Sequence, residues 1–536
     1  MDSMGNRMIK GYWMPVLHAH LPFVKHPEYD YFLEEHWLFE AISESYIPLL
    51  MKMKQMSDEG IDFRLTVSIS PPLLEMLSDE YLMQQYLKYL DRLAELSEKE
   101  MHRLKNDREF RHLSGFYYGR FGRVRSFFTG FLRGNVLNGY RCFRDAGKLE
   151  IITCCATHGF LPLLSVNPIS VEVQISVAVD CYTRHFGRPP EGMWLPECAY
   201  YRGLDGILRK YGLKFFFLDS HALMKGEPPP GYAVYAPVYT INGVAAFGRD
   251  PLSSKQVWSA EEGYPGDFDY RDFYRDAGFD LDLEYIRPYI SPEGTRVFTG
   301  IKYYRITGNT DRKKPYRPDA ALKKSMEHAA HFYSERKKHI EALNALMDRP
   351  PVIVSPYDAE LFGHWWFEGP EFLYHAFREI STHGLIRTIT PGEYLGLYPR
   401  NQVISPSPAS WGDRGYYDAW LNSENDWIYP HLHHMASTME DLAGKYYHET
   451  GPLNTRLLNQ MARELLLAQS SDWAFLMTTK TAVEYSTKRT KEHFANFNKL
   501  LDDLLSDNVD TEFLERLEYR NSIFGNLDFR IYAGRL

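Results

Sequence analysis

Two carboxylates in this chain each follow a run that reads as a buried strand, and both have aromatic company. Glu197 lies in residues 191–201 (EGMWLPECAYY), flanked by Trp194, Tyr200 and Tyr201. Proline has no backbone donor and a fixed φ, so Pro196 should end the preceding strand and leave Glu197 at its C-terminal mouth. Residues 351–355 (PVIVS) read as another buried strand, which runs into Asp358 and Glu360 with Phe362, His364, Trp365 and Trp366 just beyond. Carboxylates converging from two strand ends suit glycosidic-bond chemistry. In the retaining mechanism one attacks the anomeric carbon while the other protonates the leaving oxygen, at a separation of roughly 5–5.5 Å. The rings would stack on pyranose faces, and burial among them would raise the proton donor's pKa. Taken alone, Glu197 could equally be a helix-starting glutamate in a loop.

Histidines mark further strand ends. Residues 11–20 (GYWMPVLHAH) form a short apolar run whose His18 and His20, two apart, share a face. The β-branched run beginning at Leu149 ends similarly at Thr157-His158-Gly159. Such histidines could ligate a metal, bond a ligand, or be satisfied by neighbouring carboxylates. No HxxxH helix or cysteine set accompanies them, so neither metal nor cofactor is expected. Trp411, Trp420 and Trp427 follow Pro399, where they could wall a cleft.

The elements that must position these residues alternate. Strands are expected at 11–20, 63–70, in the β-branched opening of 149–164, just before Glu197, at 214–219 and at 351–355, with helices at 35–56, 169–186, 204–211 and 320–347 and mostly helical sequence over 71–147. Strand, helix, strand, with polar residues at strand ends, is the signature of a parallel α/β barrel. Residues 1–400 are assigned to that barrel and 221–307, broken by GEPPPG and GYPGD, to an inserted subdomain or loops over its mouth. The Pro- and Ser-rich stretch 404–410 reads as a linker. Residues 401–536 are then a C-terminal all-helical domain with helices near 431–448, 454–469 and 481–506.

Composition narrows the function classes. Among 536 residues, aromatics reach 15% while charged residues are an ordinary 24%, so many rings must be partly exposed. The net charge of −9 argues against nucleic acid as a partner. Five cysteines without a CxxC pair fit reduced thiols in a cytoplasm. The opening MDSMGNRMIK lacks a leader's apolar core, and no run approaches a membrane span.

The segments His18-Ala19-His20-Leu21-Pro22, 157–162 (THGFLP), Trp194-Leu195-Pro196-Glu197 and 355–365 (SPYDAELFGHW) resemble four of the five ordered motifs of glycoside hydrolase family 57. The stretch 481–497, with Tyr485, Arg489 and His493 spaced four apart, resembles the fifth. The resemblance implies an incomplete (β/α)7 barrel, retaining double displacement, an α-glucan as partner, Glu197 as nucleophile and Asp358 as acid/base. Residues 247–276, 302–307, 411–427 and 471–473 resemble the family's 1,4-α-glucan branching enzymes. That likeness makes Arg275, Trp411 and Asp472 candidate substrate contacts beside His18, His20, His158 and Trp420, with Arg271 the close competitor of Arg275. Some members of that subgroup carry a loop tyrosine thought to favour transfer over hydrolysis, for which Tyr232, Tyr235 and Tyr239 are all near enough in sequence. The runner-up readings are a family α-amylase or 4-α-glucanotransferase, then a metal-dependent carbohydrate deacetylase or a non-catalytic glucan-binding protein.

Overall fold

A computed structural model describes residues 9–259, 263–448 and 450–534. Residues 1–8, most of the segment read as lacking a leader, and 260–262, inside the branching-enzyme-like stretch, lie outside the described residues. The strands are β1 Gly11–Ala19, β2 Leu65–Ile69, β3 Leu149–Ile152, β4 Gly192–Met193, β5 Phe215–Leu218, β6 Val238–Tyr239, β7 Ala245–Gly248, β8 Val352–Asp358 and β9 Ile386–Thr388. They form two sheets, β3-β2-β1-β8 and β4-β5-β7-β6, with β9 paired to β1. Every pairing is parallel except β6 with β7.

Two seams join the sheets into a ring. Trp194 N donates to Thr153 O at 2.8 Å beside β3 and β4, and Asp250 N donates to Val354 O at 2.8 Å between the end of β7 and β8. The round is therefore β3, β2, β1, β8, β7, β5, β4, an incomplete (β/α)7 barrel whose strands are too short to ladder along their whole length. Because β8 pairs with residues 12–18 along one edge of β1, β9 and β2 must share the other. β9 takes residues 11–13 and β2 takes 16–19. All nine residues of β1 are buried, as a strand covered on both faces requires.

Two expectations change. The stretch 221–307 is not wholly an insertion, since β7 is a barrel strand within it, too short and too close to the Asn242-Gly243 turn to stand out in sequence. The 404–410 stretch is a strap fastened to the barrel. Ser405 N donates to Glu227 O at 2.8 Å, Ser407 N to Ala222 O at 2.9 Å, Tyr200 N to Ala409 O at 2.8 Å and Trp411 N to Glu197 O at 2.8 Å. Pro and Ser signalled irregular backbone correctly but carried no information about its partners.

Beyond the strap, the helices Ile428–Lys445, Pro452–Ala468, Ser471–Thr479 and Val483–Ser506 pack as a bundle. The bundle meets the barrel at the His158 strand end, where Ser471 N donates to His158 O at 3.1 Å. No described helix is long and apolar enough to cross a membrane.

Candidate active site

The mouth of the barrel is built first by register. β1 sets His18 opposite Asp358 on β8 and opposite Ser68 on β2. His18 Nδ1 bonds Ser68 Oγ at 3.1 Å and His20 Nδ1 bonds Ser70 Oγ at 2.8 Å, so the two-residue spacing of the histidines is matched by Ser68 on β2 and Ser70 just beyond its end. His18 Nε2 meets His158 Nε2 at 3.1 Å, and the His20 and His158 rings stack with centroids 3.9 Å apart. Burial first, then the neighbouring imidazoles, keeps both His18 and His158 neutral.

Glu197 is held in a strained turn. It adopts φ 59° and Cys198 φ 49°, while His158 stands at 57°. Left-handed backbone at a non-glycine residue costs on the order of 1–3 kcal/mol each and persists where surrounding structure over-determines it. Here the strap supplies that constraint, since Trp411 binds Glu197 twice. Its backbone N–H meets Glu197 O, and its indole Nε1 donates to Glu197 Oε2 at 2.6 Å. Ser471 Oγ donates to the other oxygen, Oε1, at 3.3 Å and also bonds His158 Nδ1 at 2.9 Å.

Asp358 ends β8 and receives no hydrogen bond from any described residue, which leaves its oxygens for an incoming group. Burial lifts Glu197 to about 8, opposed by the Trp411 bond, with Asp472 and Asp358 adding to the rise. Burial lifts Asp358 to about 6, with Arg249 and His20 holding it back. The pair therefore shares one proton across the neutral range. Taken singly those values put the proton on Glu197; the two donors that converge there, against none on Asp358, are what favours the anion on Glu197 and the proton on Asp358 when the pair reacts. A desolvated anion facing a proton donor can act on an acetal carbon and its leaving oxygen.

Asp472, in the first turn of its helix, accepts from His20 Nε2 at 3.0 Å and from Ser470 Oγ at 2.5 Å. Burial alone would raise it, but His20 pulls it well below the usual carboxylate range. Glu360 accepts from His20 N at 3.2 Å and from Tyr46 Oη. Tyr46 ends a π-helical turn, Ile42–Tyr46, that interrupts the helix expected over 35–56. Such bulges re-aim side chains, and nothing in the apolar spacing revealed this one. Ser68, Ser70, Ser471, Glu360 and Arg249 were also missed. The serine spacing and the position of Glu360 inside the Asp358 motif were signals for three of these.

The structure brings His18, His20, His158, Glu197, Asp358, Trp411 and Asp472 together. It places Trp420 and Arg275 elsewhere. Trp420 is 1% exposed, stacked on Phe160 at 4.8 Å, and offers no ring face to a ligand. Arg275 pairs with Asp280 at 2.8 Å and lies over the Tyr304 ring, while its competitor Arg271 is buried against Glu44 at 3.0 Å and Phe367. Neither guanidinium reaches the carboxylate pair. The three loop tyrosines are equally remote. Tyr235 O accepts from Val352 N at the opposite end of β8 from Asp358, Tyr232 lies beside Asp348 and Arg349, and Tyr239 N donates to Gln402 O.

His20, His158 and Asp472 present ligand atoms within 4.8 Å of one another, as do His18, Cys154 and His158. Both nitrogens of all three histidines are nevertheless taken by serine, aspartate or imidazole partners. That arrangement fits a polar network better than a metal centre.

Comparison with known proteins agrees with this geometry. The model of glycosyl hydrolase family 57 matches residues 15–407, which contain both carboxylates. The chain belongs to glycoside hydrolase family 57. A second model, 1,4-alpha-glucan branching enzyme, C-terminal, matches residues 431–532 and so covers Ser471 and Asp472. The 1,4-alpha-glucan branching enzyme of Thermococcus kodakarensis is 34% identical over 96% of this chain and 78% of its own. Among solved structures, the alpha-amylase AmyC of Thermotoga maritima superposes with a TM-score of 0.92 at 47% identity, covering 98% of this chain and 99% of that one. The family 57 branching enzyme of Pyrococcus horikoshii does so at 0.88 and 34% identity, covering 98% of each.

Proposed function

We propose that this chain is a retaining 1,4-α-glucan branching enzyme acting on amylose-like chains in the cytoplasm, with Glu197 as nucleophile and Asp358 as acid/base. The observation that carries this reading is the shared construction of the Glu197 pocket. The barrel supplies the carboxylate, and Trp411 on the strap and Ser471 in the branching-enzyme C-terminal match supply its two donors. Glu197 attacks the anomeric carbon of an α-1,4 link while Asp358 passes its proton to the departing 4-oxygen. The glucosyl chain is then bound to Glu197 through an ester. Asp358, now a carboxylate, takes the proton of a glucan 6-hydroxyl, whose oxygen displaces Glu197 and forms an α-1,6 link with net retention. His20, His158, Asp472 and the exposed edge of Trp411 line the approach to this pair.

The similarity to AmyC favours a second reading in which water replaces the 6-hydroxyl and the product is a shortened chain. Incubation with amylose, followed by an α-1,6-specific debranching enzyme, separates the two. Branching gives short chains released by debranching and few new reducing ends before it. Abundant reducing ends with nothing to debranch would establish hydrolysis. Dialysis against a chelator is expected to leave the rate of amylose conversion within about twofold, because the histidine nitrogens already have partners. A loss restored by zinc would mean that the imidazoles hold a metal.

A further inference from the structure

The motif that contains Asp358 runs on to two residues that the chemistry leaves unused, His364 and Trp365. Gly363 turns the chain just before them at φ 116°, and a Cβ there would run into Glu44 O, so only glycine lets this turn press against the π-helical turn Ile42–Tyr46. Gly363 N closes the turn by donating to Trp366 O at 2.8 Å. Trp366 is buried as a result, while Trp365 stands 64% exposed. The Phe273 ring lies beside Trp365 with centroids 6.1 Å apart, and Tyr274, next along the chain, is 78% exposed. Lys302 holds Phe273 and Phe298 in place, its ammonium 4.4 Å and 4.0 Å from their ring centroids. The result is a fixed aromatic platform on the surface, of the kind that marks a binding site.

A polar group completes the platform. His364 lies edge-on to Phe273 at 5.3 Å, and its Nδ1 meets Glu44 Oε2 at 2.8 Å. Burial alone would raise Glu44, but Arg271 and then His364 hold it well below the usual carboxylate range. Glu44 is therefore the acceptor and Nδ1 the donor. His364 is partly exposed, and its Nε2 has no hydrogen-bond partner among the described residues, which leaves it for a hydroxyl. The platform also joins the catalytic mouth. The turn that brings Glu44 to His364 sends Tyr46 to Glu360, His364 N donates to Ser45 Oγ at 3.1 Å, and Trp365 N donates to Glu360 O at 3.2 Å. Glu360 in turn accepts from His20 N. We propose that His364, Trp365, Phe273 and Tyr274 form an outer subsite for an α-glucan chain, taking glucosyl units beyond those at the catalytic pair. The rings cover the apolar faces of pyranose units, and His364 Nε2 bonds a hydroxyl. This inference rests on the α-glucan reading of the site.

Calorimetric titration of the full chain carrying Glu197→Gln, so that the ligand is not consumed, tests this with soluble short-chain amylose and with maltose. Amylose should bind about tenfold or more tightly than maltose, which is too short to reach from the catalytic pair to the platform. Trp365→Ala should weaken amylose by about tenfold, and so collapse the preference for the longer chain. His364→Asn keeps a donor for Glu44 and removes Nε2, and should weaken amylose by about threefold to tenfold. If His364→Asn fails to fold by circular dichroism, Trp365→Ala and Tyr274→Ala, both at exposed positions, decide the matter. Amylose affinity unaltered in these variants would overturn the subsite and leave the α-glucan reading standing. Absence of amylose binding before any of them is introduced would overturn both. Loss of self-association in Trp365→Ala by analytical ultracentrifugation, with amylose affinity unchanged, would overturn the subsite and assign the platform to a second copy of this chain.

Discussion

Glu197→Gln is expected to lower amylose conversion by about four to six orders of magnitude while leaving the fold intact. The amide matches the carboxylate in shape, and the Trp411 indole, 2.6 Å away, can still donate to its oxygen. What disappears is the nucleophile, since an amide oxygen does not form the glycosyl ester on which both half-reactions depend. The same substitution should raise thermal stability. Burial lifts the Glu197 carboxyl from 4.5 to about 8, and the folded pair with Asp358 keeps a proton that the unfolded chain has released. Stability then falls as pH rises from the lower value through the higher, and the cost is largest above about 8. Glutamine removes it, so the melting temperature at neutral pH should rise by about 1–3 °C, with no gain at a pH below the unfolded value. Reducing-end and debranching assays beside scanning calorimetry measure both effects. Activity above about one per cent of wild type would move the nucleophile away from Glu197.

The parts of the site set by local rules were legible in the sequence. Proline before Glu197, alternation in His18-Ala19-His20, and the buried run before Asp358 each report strand ends through backbone chemistry that acts over two or three residues. The parts set by tertiary contact were not. Trp411 stood out through the branching-enzyme likeness alone, since nothing in the residues themselves ranked it above Trp420 and Trp427. It bonds Glu197 only because the strap is pinned to Glu227, Ala222 and Tyr200, while Trp420, nine residues on, is sealed behind Phe160. Tyr46 reaches Glu360 through a π-turn whose cause lies in packing, since the helical spacing of its neighbours is unremarkable. Arg249 was hidden because β7, the strand that delivers it, has four residues and no alternation to detect. Arg275 shows the converse dependence. Likeness of the surrounding stretch suggested a sugar contact, whereas Asp280, five residues later, already holds the side chain.

Remoteness of Tyr232, Tyr235 and Tyr239 from the carboxylates bears on how water is kept from the glycosyl ester. Tyr235 and Tyr239 start from backbone at the end of the barrel opposite the mouth, Tyr232 lies beside Asp348, and the Tyr235 phenol is taken by Asp250, so none of them bonds Glu197. The groups that surround Glu197 are instead Trp411, Ser471 and His158. The strap end and the helix Ser471–Thr479, which carry Trp411 and Ser471, are therefore the elements that cover the carboxylate.

Asp358→Asn separates the two half-reactions. Without a proton donor, an amylose 4-oxygen leaves poorly, and the rate on amylose should fall by about three to five orders of magnitude. Fluoride needs no such help. With an α-maltosyl fluoride donor the variant should therefore release a stoichiometric burst of fluoride and then stall, because no base remains to activate the incoming hydroxyl. Intact mass should show a maltosyl adduct that peptide mapping places on Glu197. The wild-type pH profile on amylose has its own expectation. Below about 6 both carboxyls are protonated and the nucleophile is lost, and above about 8 both are ionised and the acid is lost, so the profile is a bell between those values. For the variant's fluoride burst the alkaline limb should vanish and the acid limb remain, since that step requires only an ionised Glu197. Equal losses on amylose and fluoride, with no burst and no adduct, would mean that Asp358 shapes the pocket without carrying the proton. The acid would then be sought at Glu360, which burial and Asp358 together hold protonated up to about 8.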